Sequence, residues 1–309
     1  MQKELHSCSL CPRKCGVDRL SGEVGFCKQP VENIQVARAA LHFWEEPCIS
    51  GTKGSGTVFF CGCTMRCCFC QNRELWDKNS TNTVSVERLS GIFLELQNKG
   101  AHNINLVSPT PYVYQIIDAV KLAKNNGLHI PIVYNTGGYE QAETIRLLKD
   151  TVDIYLTDLK YADNDLGEKY SGTKEYFQNA SKALVTMVTS VGRPKFDSWG
   201  MMTRGVIVRH LVLPGEKDNT RRVLQYLSEQ FGETVVLSLM QQYTPMGKQK
   251  FKNLNRKVST FTYHSLCRYA RQCGFKNGYF QHRRTASASF IPKFDEQGVA
   301  ITEGEENND

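Results

Sequence analysis

FFCGCTMRCCFCQN, residues 59–72, sets five cysteines within ten positions, and the fold is read outward from it. Cys63, Cys67 and Cys70 have the spacing C-x-x-x-C-x-x-C, which lets three thiolates converge from one short loop. A [4Fe–4S] cube normally takes four cysteines. Three ligands leave one iron open to a substrate or cofactor, just as an open position separates catalytic from structural zinc sites. Zinc, with Cys61 or Cys68 as fourth ligand, is the alternative. Zinc motifs usually pair two C-x-x-C knuckles across a spacer, and that pairing is absent here.

Upstream, TVFF is aromatic and β-branched and predicts a strand that delivers the loop. Downstream, SVERLSGIFLELQNKG sets Val86, Leu89, Ile92, Phe93 and Leu96 on one helical face, with Ser85 as cap and Gly100 as stop. NINLV, HIPIVY, VDIYLTDLK, GVIVRHLVL and TVVLSLM read as further strands. Helices are expected near 112–125, 139–149, 173–190, 219–231 and 262–273. The six strands are short, continuous apolar runs, as in a parallel sheet covered on both faces. Their alternation with helices implies right-handed βαβ units. Six units are too few to close an eight-stranded barrel. The predicted fold class is therefore α/β, a partial (β/α)6 TIM-like barrel with a small N-terminal cysteine-rich metal or cluster domain. Its site is expected at the carboxyl ends of the strands. The expected domains are 1–50 (rich in Cys, Gly and Pro), 51–290 (the barrel) and 291–309 (an acidic, polar tail expected to be disordered).

At 309 residues, 40% hydrophobic and 22% charged, the composition is that of a soluble globular protein. No apolar run approaches the ~18–20 residues of a membrane helix, and MQKELHSC lacks the apolar region of a secretory signal. The cytoplasm is the expected compartment, with no membrane partner. There, twelve cysteines favour metal or redox roles over disulfides. The net charge of +7 permits an acidic partner, but the basic residues are scattered, so nucleic acid is not expected.

A second group, SCSLCPRKCGVDRLSGEVGFC, supplies Cys8, Cys11, Cys15 and Cys27, with Gly16, Gly22 and Gly25 permitting the turns. Four cysteines close a site. Structural zinc and a second [4Fe–4S] cluster both fit, and an unliganded set is a further alternative. Cys48 reads as an added ligand, a hydrogen-atom donor or a packed thiol. Gln241 and Tyr243 end the sixth strand and are candidate substrate contacts. Cys267 and Cys273 are expected as buried thiols, and His264 and His282 as structural residues.

GCTMRCCFCQNRELW resembles the cluster loop of pyruvate formate-lyase activating enzymes, in the radical S-adenosylmethionine (SAM) superfamily, including Phe69, Asn72, Arg73 and Trp76. The resemblance covers about residues 5 to 290. It implies that Cys63, Cys67 and Cys70 hold a [4Fe–4S] cluster and that Cys61 and Cys68 are packed thiols. It also implies that SAM chelates the open iron and is reductively cleaved to a 5′-deoxyadenosyl radical, which abstracts hydrogen from a substrate carbon. YLTDLK aligns with the family's D-x-K element, and period-two spacing puts Asp158 and Lys160 on one face. VRHLVLPG resembles its fifth strand, where Arg209 suits a carboxylate or ribose hydroxyls. YNTGG aligns with its D-T-N-G element through Asn135.

On this basis the cofactor-binding candidates are Asn72, Ser108, Thr110, Asn135, Asp158, Lys160 and Arg209, and the catalytic candidates are Cys48, Lys160 and Tyr243. Two departures stand out. Where the family carries G-G-E, this chain has Ser108, Pro109 and Thr110, whose carbonyls and hydroxyls supply acceptors instead. Asn135 replaces an aspartate, which argues against a cation there. Together they imply a related subgroup rather than a bona fide pyruvate formate-lyase activase. The resemblance points to a protein or peptide substrate, such as a glycyl radical enzyme, and to a flavodoxin- or ferredoxin-type electron donor. The alternatives are modification of RNA or a ribosomal peptide and, in another class, a non-enzymatic zinc-binding adaptor.

Overall fold

In a computed structural model, which describes residues 3–77, 82–276, 278–281 and 292–300, TVFF lies in a fully buried strand. Contacts divide the chain into two units: Met1–Thr64, Glu74–Tyr134 and Lys293–Asp309 form one, and Met65–Arg73 with Asn135–Pro292 the other. One division, between Pro292 and Lys293, falls close to the expected boundary at 290, and none falls at 50.

The first unit contains α1 (Lys3–His6), β1 (Ile34–His42), α2 (Pro47–Ser50), β2 (Ser55–Phe60), α3 (Glu74–Asp77), β3 (Thr83–Val84), α4 (Val86–Asn98), β4 (Ile104–Val107) and α5 (Val113–Asn125). Strand β5 (Ile132–Thr136) begins here and ends in the second unit. β2 runs parallel to β4, with Phe59 opposite Val107. α4 starts as its sequence predicts: the Ser85 hydroxyl accepts from the Arg88 N–H at 3.1 Å. Leu89, Ile92, Phe93 and Leu96 are buried, each contributing roughly 1.5–3 kcal/mol by leaving water.

β1 was not expected. It lies antiparallel to β2, with Val36 opposite Phe60 and His42 opposite Ser55. Its sequence, IQVARAALH, has three alanines and a central arginine, so the pattern along the chain is weak and pairing with β2 makes it a strand. Part of the expected disordered tail is held along this strand. Glu296 N–H donates to the Ala37 carbonyl at 2.9 Å and Ala39 N–H to the Gln297 carbonyl at 2.8 Å. Arg38 pairs with Asp295 at 2.5 Å. Residues 301–309 of that tail, and His282, lie outside the described residues.

The second unit contains α6 (Ala142–Leu147), β6 (Ile154–Asp158), α7 (Asn164–Ser171), α8 (Tyr176–Val191), β7 (Lys195–Phe196), β8 (Met202–Leu211), α9 (Lys217–Gln230), β9 (Val236–Met240), α10 (Thr260–Gln272) and β10 (Tyr279–Phe280). β6, β8, β9 and β10 pair in parallel in that order, and β7 forms an antiparallel hairpin with β8. Cys267 is buried in α10, Cys273 is partly buried just beyond it, and His264 is exposed. The six strands read from the sequence are β2, β4, β5, β6, β8 and β9. The fold is α/β with a mostly parallel sheet, and an open, partial barrel is consistent with it. Among the described residues no helix is long and apolar enough to cross a membrane.

Candidate active site

β6 ends at Asp158, whose register partner on parallel β8 is Arg209, so the two side chains meet at the carboxyl ends of their strands. Arg209 Nε donates to Asp158 Oδ1 at 3.0 Å, and Nη2 donates to Asn135 Oδ1 at 2.6 Å. Lys160 Nζ pairs with the other carboxylate oxygen. Burial opposes the charge on Asp158, but Lys160 and Arg209 outweigh it and hold the carboxyl below its ordinary range. Burial likewise opposes the Lys160 charge, and Asp158, then Cys67, outweigh it, so the amine is held above its ordinary value. Lys160 is thus a charge partner of Asp158. Two cations share one carboxylate here, which leaves positive charge for an anionic or hydroxyl-rich ligand.

The cysteine loop of this unit, Met65–Arg73, is held by groups the sequence does not mark. The Ser171 hydroxyl donates to Cys67 Sγ at 3.0 Å and is itself bonded to the Tyr161 hydroxyl at 2.7 Å. Cys68 N–H donates to the Tyr170 carbonyl at 2.8 Å. The Phe69 ring meets those of Tyr170 and Tyr243 edge-on, with centroids 6.5 and 6.4 Å away. Gly137 passes so close to the loop that an added Cβ would stand 2.7 Å from Met65 Sδ. The Tyr176 hydroxyl accepts from Lys160 N–H at 3.0 Å and donates to the Gly137 carbonyl at 2.9 Å, tying two strand ends together. Asn72 is half-buried at the loop's end. None of Ser171, Tyr161, Tyr176 or Met65 carries a spacing signal, because each is brought in by packing.

Tyr243 is buried, and its hydroxyl donates to the Leu254 carbonyl at 2.6 Å. The ring supports Phe69 and the hydroxyl is bonded to the fold. Gln241 is buried as well.

In the first unit, Cys63 follows β2 across Gly62, whose N–H donates to the Leu75 carbonyl at 2.7 Å. Cys61 packs among Ala37, Phe59, Leu75 and Val107, as a structural thiol does. Ser108, at the end of β4, is left-handed at φ +59°, a conformation a non-glycine residue keeps only when its surroundings impose it. Thr110 is buried two residues on.

Cys48 is buried. It sits in α2, where the Asn103 side-chain amide donates to the Ile49 carbonyl at 2.7 Å and accepts from Ser55 Oγ at 2.6 Å. Ser55 and Asn103 are at the amino ends of β2 and β4. The six residues of β2, at about 3.3 Å each, put about 20 Å between that end and the Cys63 loop. The Cys48 thiol is thus beside the end of β2 away from that loop.

The N-terminal cysteines belong to the opposite, carboxyl end of β2. Arg13 Nε donates to the Thr64 carbonyl at 2.9 Å. A Cβ on Gly62 would stand 2.4 Å from Gln29 Cγ and 3.1 Å from the Cys27 carbonyl. Tight turns gather the block: Cys8 N–H donates to the Val17 carbonyl, Lys14 N–H to that of Cys11, and Phe26 N–H to Cys15 Sγ at 3.3 Å. Among the described residues, no three His, Cys, Asp or Glu side chains stand where they would hold a single metal ion.

Against this geometry, the family model described as the radical SAM superfamily matches residues 57–227. An uncharacterized protein of Methanocaldococcus jannaschii is 30% identical over 263 residues, covering 82% of this chain and 71% of that one. The pyruvate formate-lyase-activating enzyme of Clostridium pasteurianum is 25% identical over 207 residues, covering 64% of this chain and 79% of that one. The crystal structure of Streptococcus suis SuiB aligns with a TM-score of 0.46 at 13% identity, over 71% of this chain and 45% of that one. The chain therefore spans under half the length of that protein.

Proposed function

The chain belongs to the radical SAM superfamily, is related to pyruvate formate-lyase activating enzymes and is an enzyme, and we propose that it abstracts hydrogen from a protein or peptide substrate. The family implies a [4Fe–4S] cluster and SAM, which when bound supply a radical able to make that abstraction. The donor set fits: the loop offers three thiols and leaves one iron open for SAM. Cys63, Cys67 and Cys70 hold the cluster. Asp158, Lys160, Arg209 and Asn135 hold SAM, with Asn72, Ser108 and Thr110 as further contacts.

The observation that carries this reading is the Asp158–Lys160–Arg209–Asn135 network at the strand ends. Asp158 and Asn135 fix the Arg209 fork before any ligand arrives, so little ordering remains to be done on binding. Lys160 pairs with the same carboxylate and adds a second cationic group. The Ser171 hydroxyl donates to Cys67 and stabilises it as a thiolate.

The relation to activases supports a polypeptide target, a glycyl radical enzyme being the first to test, with a flavodoxin- or ferredoxin-type donor in the cytoplasm. Residues 1–50 act as an appended module on the barrel of 51–290, carrying a second [4Fe–4S] cluster or zinc on Cys8, Cys11, Cys15 and Cys27. RNA or a ribosomal peptide is the other substrate reading. Membership of the family sets aside a non-enzymatic zinc adaptor. The test is anaerobic, with reconstituted protein, dithionite and SAM. Formation of 5′-deoxyadenosine supports the chemistry, and a new glycyl radical signal on adding a glycyl radical enzyme supports the substrate. A colourless protein that leaves SAM intact would overturn the reading.

A further inference from the structure

Along most of the chain the basic residues are scattered, but residues 234–294 carry 11 Lys and Arg and no Asp or Glu. Of the 38 Lys and Arg and 31 Asp and Glu in the whole chain, that leaves 27 against 31 elsewhere, so the positive net charge comes from this one stretch. Five of its cations, Lys248, Lys250, Lys252, Arg256 and Lys257, crowd the loop that follows β9, and all five are exposed. β9 runs parallel to β8, so this loop leaves the sheet at the end where Arg209 meets Asp158. Lys169 on α7 is exposed too, its Nζ 4.8 Å from the Tyr170 ring centroid and 5.4 Å from that of Phe251. Phe251, inside the basic loop, meets Tyr170 edge-on at 5.0 Å, and Tyr170 meets Phe69 at 6.5 Å. Phe69 sits between Cys68 and Cys70. The cationic face is therefore one layer of rings from the cysteine loop. Met65, at the other end of that loop, faces Gly137 beside Lys160, so the Asp158 network and the cationic face approach the loop from different ends.

We propose that this face, Lys169 with the loop 248–257, docks an acidic one-electron carrier protein and passes its electron to the cluster on the cysteine loop. One electron leaves the reduced carrier and one enters the oxidised cluster, and no bond is made or broken. Opposite charges steer such an encounter and set its orientation, and the interfaces of redox partners are small, so a patch of exposed cations beside the acceptor is enough. Single-stranded nucleic acid would seek the same charge, but it needs open ring faces on which bases stack. Here the chain's own cations cover the rings: Lys169 and Lys250 lie over Phe251, Arg221 over Tyr269 and Arg271 over Phe280. Among the described residues of the stretch, Phe261 alone is an exposed Phe, Tyr or Trp. The arrangement favours a protein.

The inference rests on the cluster reading above and adds the surface through which that centre is reduced. The test uses the full chain with Lys248→Glu, Lys252→Glu and Arg256→Glu combined. A control chain carries Lys121→Glu, Lys149→Glu and Lys182→Glu, exposed positions elsewhere that change the net charge equally. Binding is measured first, by titrating a bacterial flavodoxin and a bacterial ferredoxin, both acidic, onto each chain at low and at high salt. At least one carrier is expected to bind, more tightly at low salt, with binding weakened on the order of tenfold or more in the first variant and unchanged in the control. Binding by neither carrier, or the same loss in both variants, would overturn the proposal. A labelled oligouridylate that displaces the carrier at physiological salt would refute it too, and would assign the face to nucleic acid. Formation of 5′-deoxyadenosine is then driven by the carrier or by dithionite. The first variant is expected to lose on the order of tenfold in rate with limiting carrier and nothing with dithionite. An unchanged carrier-driven rate, or an equal loss with both reductants, counts against docking at this face. Wild-type chain that forms no product even with dithionite would instead overturn the cluster reading, which the binding titration does not test.

Discussion

Arg209 is held by two acceptors on neighbouring strands, so its loss removes both a charge and the pre-set geometry. Arg209→Ala is expected to cut 5′-deoxyadenosine formation at limiting SAM by on the order of tenfold or more, about 1.4 kcal/mol or above. Arg209→Lys will not restore it, because lysine lacks the fork. Ser171→Ala removes the donor to Cys67 Sγ and should lower the cluster's reduction potential in an EPR-monitored titration, since hydrogen bonds to sulfur favour the reduced state. His210 is buried, its Nδ1–H donating to the Leu159 carbonyl at 2.7 Å and its Nε2 bonded to the Thr220 hydroxyl at 2.9 Å. Burial pushes its pKa down to about 4, against about 6.5 in the unfolded chain. The unfolded state then binds the extra proton in that window, so His210 contributes its full stability above about pH 6.5 and loses it as pH falls towards 4. The shift corresponds to about 3 kcal/mol. Urea unfolding midpoints at pH 7.5 and 5 should differ less for His210→Asn than for wild type. An identical pH slope would show that another group is responsible.

At the scale of elements, α7 shows how a weak local pattern becomes a site. NDLGEKYS has a glycine and few apolar residues, so its period is faint, although Asp163 caps it and Gly172 ends it in the left-handed region. Gly167 lets α7 press on α8, where an added Cβ would meet Tyr176 Cβ at 2.7 Å. That packing brings Tyr170 and Ser171 to Cys68 and Cys67. Spacing marked Cys67 but not the helix behind it. The NTGG turn is also explained by packing. Gly138 has φ +83°, and a Cβ there would stand 2.1 Å from the Asp158 carbonyl oxygen. Gly138→Ala should cost more than the roughly 1–2 kcal/mol of the left-handed conformation alone. Gly172→Ala, at φ +58° with open space around it, should cost only that. Equal losses in thermal midpoint for the two variants would mean that the close approach at Gly138 is unimportant.

For the whole molecule, the segment 293–300 is an expected stabiliser of β1. Arg38, Ala37 and Ala39 bond to it, and Arg88 Nε donates to the Val299 carbonyl at 3.0 Å. Removing residues 293–309 should lower the thermal midpoint and speed amide exchange in β1, while deletion of 301–309 alone leaves that exchange unchanged. Exchange unaltered by the longer deletion would show that β1 is held by β2 alone.

By itself the sequence determined the alternation of six strands with helices, because apolar period and caps are local properties. It also determined the cysteine loop and the polar residues at strand ends, because ligand spacing and residue type are written in the chain. Tertiary structure alone decided the antiparallel β1, the helix behind the loop and the burial of Arg19, Cys48 and Tyr243. Those depend on which surfaces meet. A thiol or phenol near a strand end reads alike from sequence whether it faces a cleft or, as here, packs about 20 Å away or spends its proton on a carbonyl.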